Sequence, residues 1–453
     1  MTYMERLPQS PYKSELNGSQ VDNWLPYKSL CFIGDSITQT GLYARTLLEY
    51  AVSRYPERQR FFVNGGAAGD TAAMVLTRME RDILIRQPDA ACIMLGMNDI
   101  GRHFYPEGPV TEELLSSRKR RLEEFGINLN EILGILKQKE IVPILVTPTP
   151  YDQDADLPAT NFPGCNDALG QCVQIVAKLS DSYNAGLINL WEPMNEINAS
   201  IRLRDQTASL IGQDRVHPDA RGHMVMAYLL LKQTGAANRL PQIQLNGSQP
   251  KEAYDCIIDH VCKDADGTIR LSYTSDRIPL FLDEAYRNAD ELVPLTEDFN
   301  LEKITIAGLS SGNYECLIDE QSVGNYSSME LSEGINIAAI DGTSIQAKAT
   351  ELYKLSGIKY GLESKLRSVV FIEQEMYGNG IDLHQPAVAE QYVRNLLSKQ
   401  TADPSWIKTQ YTHYLESKPH EADILAQIQM VTEEMYRIAS PFTRNLTFRP
   451  VND

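Results

Sequence analysis

Ser29-Leu30-Cys31-Phe32-Ile33-Gly34-Asp35-Ser36-Ile37-Thr38 is the stretch from which the rest of the chain is read. An apolar run, residues 30–33, stops at Gly34-Asp35-Ser36. An amphipathic segment comes at once after it, with Leu42, Leu47, Leu48 and Ala51 among its apolar positions. This is the pattern of a buried strand, a tight turn and a helix N-terminus. A serine in such a turn sits at the carboxyl end of a strand, where open α/β sheets bind ligands. Unsatisfied backbone N–H groups and the helix dipole favour negative charge there. Taken alone, the tripeptide is more simply a helix cap, so the surrounding chain has to decide.

Outward from this stretch, strand-like runs recur at 30–33, 61–63, 91–95, 141–146 and 187–190, separated by helical stretches long enough for parallel crossovers. Between them, a helix is predicted over 118–139, with Leu122, Phe125, Leu129, Ile132 and Leu136 on one face. Its charge run Arg118-Lys119-Arg120-Arg121 is read as a solvated helix start, not a nucleic-acid patch. A last helix, 218–233, carries Met224, Ala227, Tyr228 and Leu231 on one face. Five parallel strands with intervening helices predict a three-layer α/β domain over residues 28–240. Residues 1–27 are expected to form an N-terminal arm anchored by Trp24 and Leu25.

Bulk properties agree with a globular chain. The 453 residues exceed one ordinary core, and 43% hydrophobic with 23% charged residues is a globular composition. A formal charge of −18 argues against nucleic acid or an anionic membrane as partner. No apolar stretch follows the N-terminus and no run of 18 apolar residues occurs, so neither a signal peptide nor a membrane span is expected. The seven cysteines are scattered without a Cys-x-x-Cys pair, which signals neither a zinc site nor a disulfide framework. Cys31 and Cys92 read as buried hydrophobes, and a reduced, cytoplasmic compartment is expected.

Turns at the carboxyl ends of neighbouring parallel strands can converge on one cleft. After the second strand comes Asn64-Gly65-Gly66-Ala67-Ala68-Gly69-Asp70. It approximates a dinucleotide fingerprint, but with Asn64 in the first glycine position and after the wrong strand. The small residues instead leave backbone N–H groups free to face a cleft, Gly69 among them. After the third strand, Gly96-Met97-Asn98-Asp99 offers either a turn asparagine or an amide aimed at a developing oxyanion. Asp214-Arg215-Val216-His217-Pro218 opens the last helix. There a carboxylate three residues before a histidine can reach one imidazole nitrogen while the other faces outward. His103 is the competing histidine, and His223 is placed on the last helix.

In this order, these four stretches resemble the SGNH/GDSL hydrolase superfamily over residues 28–234, with Gly-Asp-Ser-Ile in place of Gly-Asp-Ser-Leu. The resemblance implies a flavodoxin-like sheet and ester hydrolysis with neither metal nor organic cofactor. Carried over residue by residue, Ser36 is the nucleophile, His217 the base and Asp214 its orienting carboxylate. Ser36 N–H, Gly69 N–H and the Asn98 amide form the oxyanion hole. Arg102, His103 and Arg215, beside these motifs, are candidates for contacts to a small-molecule ester, O-acetyl or short-chain, on a carbohydrate. The reading from a different class is a catalytically inert carbohydrate-binding or assembly protein on the same fold.

Beyond residue 240 the alternation ends. Residues 241–300 are read as a linker region containing a short helix over 251–262, and 301–343 as a small β module. Residues 344–453 are read as a helical region, with helices at 345–356, 360–377, 385–399 and 421–438. This C-terminal region is expected to cover the cleft, bind substrate or join a homo-oligomer.

Overall fold

The computed structural model describes residues 27–400 and 405–451; the arm with Trp24 and Leu25 lies outside them. The described chain forms two compact units, one of residues 27–46, 60–235 and 359–430, the other of 47–59, 236–358 and 431–451.

The first unit holds β1 (Ser29–Gly34), β2 (Phe61–Gly66), β3 (Ala90–Met94), β4 (Val142–Val146) and β5 (Gly186–Ile188). They form one all-parallel sheet in the order β2-β1-β3-β4-β5. The crossovers are α1 (Ser36–Thr40), α2 (Leu42–Arg54), α3 (Ala72–Arg78), α4 (Glu112–Gln138) and α5 (Cys165–Tyr183), and α6 (Trp191–Arg202) and α7 (Ala220–Gln233) follow β5. This is the three-layer α/β architecture expected from the alternation. The central strands β1 and β3 are buried almost throughout, which is why they are continuously apolar in sequence. Cys31 and Cys92 lie within them, and all seven cysteines are free.

Helix α4 starts six residues before the expected start at 118. Thr111 accepts from Leu114 N–H, and Glu112 and Glu113 complement the helix dipole. Phe125, Leu129, Ile132, Leu133 and Leu136 are buried, each contributing about 1.5–3 kcal/mol. The charge run within α4 is not simply solvated: Arg118 Nε donates to Phe104 O (2.8 Å) and Arg121 Nε to Asp99 O (2.8 Å). Two of its four cations therefore hold the loop after β3. Helix α7 begins at Ala220, not at Pro218, because Asp219 is its cap; Pro218 forms an isolated bridge with Ile211.

The second unit departs furthest from expectation. Residues 241–300 are no linker. They contain β6 (Gln242–Asn246), β7 (Gln249–Tyr254), β8 (Ile257–Lys263) and β9 (Ile269–Ser275), then the short helices α8 (Glu284–Asp290) and α9 (Leu295–Phe299). The helix expected over 251–262 is thus two strands. Its misleading pattern comes from exposure of β7 along its whole length and from a register irregularity in β8 between Ile258 and His260. The unit continues with β10 (Lys303–Ala307), β11 (Asn313–Ile318), β12 (Gln321–Ser327), α10 (Ser328–Glu333) and β13 (Ile335–Asn336).

The long helix α11 (Ser344–Gly378) follows, then α12 (Pro386–Ser398), α13 (Trp406–Ser417), α14 (Glu421–Ile438) and β14 (Phe442–Pro450). The β module therefore exceeds 301–343, and the helical region ends in a strand. The sheets run β13-β10-β6-β7 and β12-β11-β14-β9-β8. Their shared core includes Ile243, Leu271, Ile304, Cys316, Leu446 and Phe448. The two helices expected at 345–356 and 360–377 are one, since Gly357 between them is tolerated at a cost of about 1 kcal/mol.

Within the first unit, the second half of α11 packs with α12 and α13 around Val369, Ile372, Met376, Val393, Tyr411 and Tyr414. A buried ionic network ties α11 to the loop after β2. Arg78 Nε donates to Asp70 Oδ2 (2.7 Å), Nη1 to Asp82 Oδ2 (2.6 Å) and Nη2 to Gly65 O (2.8 Å). Arg367 donates to both Asp82 oxygens, at 2.9 Å to Oδ2. All four side chains are buried. Burial alone would raise the Asp82 carboxyl, but the Arg367 and Arg78 guanidiniums hold it below the usual carboxylate range.

Removing one partner of such a set leaves an uncompensated buried charge. Arg367→Met is therefore expected to cost about 3–5 kcal/mol, read as a lower urea midpoint at pH 7, with part recovered by adding Asp82→Asn. Because the folded pKa of Asp82 is depressed, its stabilisation is complete above the unfolded pKa of about 4. The wild-type advantage should shrink as pH falls below that value.

Candidate active site

Gly34, Asp35 and Ser36 form the corner between β1 and α1. A Cβ at Gly34 would lie 2.2 Å from Thr38 Oγ1 and 2.8 Å from Met94 O, so this corner closes only around glycine. Asp35 caps α1, its Oδ1 accepting from Ile37 N–H at 2.9 Å. Ser36 is the first helical residue and half-buried, with its Oγ 2.7 Å from His217 Nε2. The other ring nitrogen, His217 Nδ1, is hydrogen-bonded to Asp214 Oδ2. Asp214 and Ser36 thus contact opposite nitrogens of the His217 ring.

The 211–218 loop is held in place from several directions. Asp214 Oδ1 accepts from the N–H groups of Val216 and His217, both at 3.0 Å. Burial raises the Asp214 carboxyl, but these donors and the His217 ring bring it well below the ordinary range. An ionised Asp214 accepts from Nδ1–H, which leaves Nε2 as the acceptor facing Ser36 Oγ–H.

Arg215, between them, has φ of 68°. It is buried, and its guanidinium donates to the carbonyls of Asp152, Ala155, Leu157 and Ala159 at 2.8–3.0 Å. Those bonds offset a left-handed backbone that costs a non-glycine residue of the order of 1 kcal/mol. Arg215 is consequently a loop anchor with its donors engaged, which corrects its reading as a substrate contact.

Gly69 and Asn98 come to the same pocket from the ends of β2 and β3. Gly69 has φ of 79°, and nothing lies within 4 Å of where a Cβ would stand, so its backbone is open to the pocket. Asn98 Nδ2 donates to Asp70 O at 3.1 Å, and its second amide hydrogen is left for the pocket. Asp99 staples the two loops: Oδ1 accepts from Ala72 N–H (2.8 Å) and Oδ2 from Gly96 N–H (3.1 Å). Burial pushes its carboxyl up to about 6.

Arg102 lines the pocket, and its buried Nη1 has no hydrogen-bond partner among the described residues. His103 does not line it: the ring is exposed and packs on Phe104 with centroids 4.0 Å apart. His223 is on α7 as expected, buried and stacked on Tyr43, with burial pulling its pKa down to about 3.

The pocket, of about 590 Å³, has a wall that motif reading did not find: Tyr360, Ser364, Trp406 and Gln410, from α11 and α13. Among the described residues no group of three or more His, Cys, Asp or Glu could hold a metal ion, and no helix is long and apolar enough to cross a membrane.

Residues 32–225 match the GDSL-like Lipase/Acylhydrolase family. The chain carries a domain of the SGNH/GDSL hydrolase superfamily. The protein is a hydrolase acting on ester bonds. An acetylxylan esterase from Geobacillus stearothermophilus is 25% identical over 228 residues, covering 46% of this chain and 94% of that esterase. A solved structure of a gut microbial diltiazem-metabolizing enzyme is 25% identical with a TM-score of 0.85, covering 94% of this chain and 98% of that one. The second likeness therefore extends into the C-terminal half, whereas the first covers less than half of the chain.

The buried cap gives a pH test. Burial lifts the Asp35 carboxyl to about 7, against about 3.9 unfolded. A raised folded pKa means stability present below the unfolded value and lost as pH rises through the folded one. Asp35→Asn keeps an acceptor for Ile37 N–H but cannot ionise. Relative to wild type, it should gain roughly 1 kcal/mol or more between pH 4.5 and pH 8, measured by urea unfolding at both pH values.

Proposed function

We propose that this esterase cleaves an O-acetyl or other short-chain ester, on a carbohydrate, through an acyl-enzyme on Ser36. The observation that carries the reading is the continuous contact from Ser36 Oγ to His217 Nε2 and from Nδ1 to Asp214. A serine hydroxyl needs such an adjacent base to attack a carbonyl at neutral pH. His217 takes the Ser36 proton as Oγ bonds to the carbonyl carbon, and Asp214 stabilises the imidazolium that results.

The Ser36 and Gly69 N–H groups and the Asn98 amide receive the negative oxygen, each donor worth roughly 3 kcal/mol of barrier. The carbon–oxygen bond to the alcohol then breaks, and His217 returns the proton to the departing oxygen. A water deprotonated by His217 attacks the acyl-enzyme, releasing the acid and restoring Ser36. Arg102, which lines the pocket, is a further contact for a substrate oxygen. The acetyl and carbohydrate parts draw support from the likeness to an acetylxylan esterase.

Ser36→Ala should remove p-nitrophenyl acetate turnover by at least about a thousandfold while circular dichroism is unchanged. A fluorophosphonate should label wild type at Ser36. A folded wild-type sample with neither turnover nor label would instead support an inert binding module. Asn98→Ala should lower kcat by about 10²–10³ with KM little changed; a change confined to KM would make Asn98 a substrate-binding residue.

A further inference from the structure

The wall formed by α11 and α13 has no part in the chemistry above. Trp406 is 55% exposed although it lines the pocket. Its ring is steadied by an edge-to-face contact with Phe371, at 5.1 Å between centroids and 71° between planes. An indole fixed along one side and open beside a cleft presents a flat apolar surface to a bound molecule.

Gln410 lies behind it, 5% exposed. Its Oε1 is engaged by Ser368 Oγ at 2.8 Å, so the amide nitrogen is the end left to donate into the pocket. A volume of about 590 Å³ is in the range that encloses a whole small organic ligand, and an acetyl group at Ser36 occupies little of it. The remaining space adjoins this wall.

We propose that Trp406 and Gln410 bind the alcohol portion of the ester and select ring alcohols that carry a hydrogen-bond acceptor, the chemistry of a sugar ring. Trp406 stacks on the ring face and the Gln410 amide donates to the acceptor. The inference rests on the serine-esterase reading and adds to it the part of the chain that chooses the substrate.

Three acetates of primary alcohols, with closely similar leaving groups, separate the contributions: ethyl acetate, cyclohexylmethyl acetate and tetrahydropyran-2-ylmethyl acetate. Wild type should rank them in rising order of kcat/KM, the last exceeding the first by about tenfold or more. Trp406→Ala should bring both ring esters close to ethyl acetate, and Trp406→Phe, which keeps a flat ring, should retain most of the preference. Gln410→Leu should remove the advantage of the tetrahydropyranyl over the cyclohexyl ester.

A wild type without ring preference overturns the proposal. So does a Trp406→Ala variant that lowers all three esters by one common factor, because that is the mark of a structural role. Failure here is distinct from failure of the esterase reading: if Ser36→Ala is inactive while the ratios ignore Trp406, only the alcohol site falls. If Ser36→Ala retains activity, the serine mechanism falls instead.

Discussion

Four buried charges, Asp70, Arg78, Asp82 and Arg367, are the constraint from which the arrangement of the first unit follows. A charge taken out of water is costly unless opposite charge and hydrogen bonds surround it. Arg78 therefore needs Asp70 and Asp82, and Asp82 in turn needs Arg367, some 285 residues further along the chain. The set is complete only when α11 lies against the loops that leave β2. Asp70 also lends its backbone carbonyl to the Asn98 amide. The position of that amide is thus coupled through one residue to a helix outside the motifs of the hydrolase domain.

A second constraint works at the other side of the cleft. The turn that carries Asp214 and His217 is short, and Arg215 must leave it in a left-handed conformation. Its guanidinium threads among four carbonyls of the 152–159 segment, fixing a loop that has no regular secondary structure of its own. Charge here is spent on holding backbone. Arg118 and Arg121 do the same for the loop after β3, so the flexible-looking margins of the cleft are pinned by cations from neighbouring elements.

How far the chain could be read depends on these physical differences. The parallel sheet was legible because its strands are covered on both faces and therefore run apolar without a break, as residues 30–33 and 91–95 do. The turns after them were legible because Gly34-Asp35-Ser36, Gly69 and Asn98 come in order at the ends of successive strands, although each alone is an ordinary turn residue. The second unit was opaque for the opposite reasons. β7 is exposed along its length, β8 has an irregular register, and β14 pairs with β9 and β11 across more than a hundred residues. β10 and β11 look like a hairpin in sequence but enter different sheets. Arg215 was misassigned because adjacency to Asp214 and His217 says nothing about which way a left-handed residue points. The helix that carries Trp406 and Gln410, α13, falls between the helices expected at 385–399 and 421–438, and only packing reveals that it borders a pocket.

The position of β14 bears on how such a chain is made. It is the middle strand of its five-stranded sheet and supplies Arg444, buried and paired with Glu302, together with Leu446 and Phe448 in the core. During synthesis β9 and β11 emerge well before it, and each then offers an unpaired edge that another chain can join. The nascent second unit is therefore an incomplete sheet until residue 450 has left the ribosome, and its solubility over that interval depends on how long those edges stay unfilled.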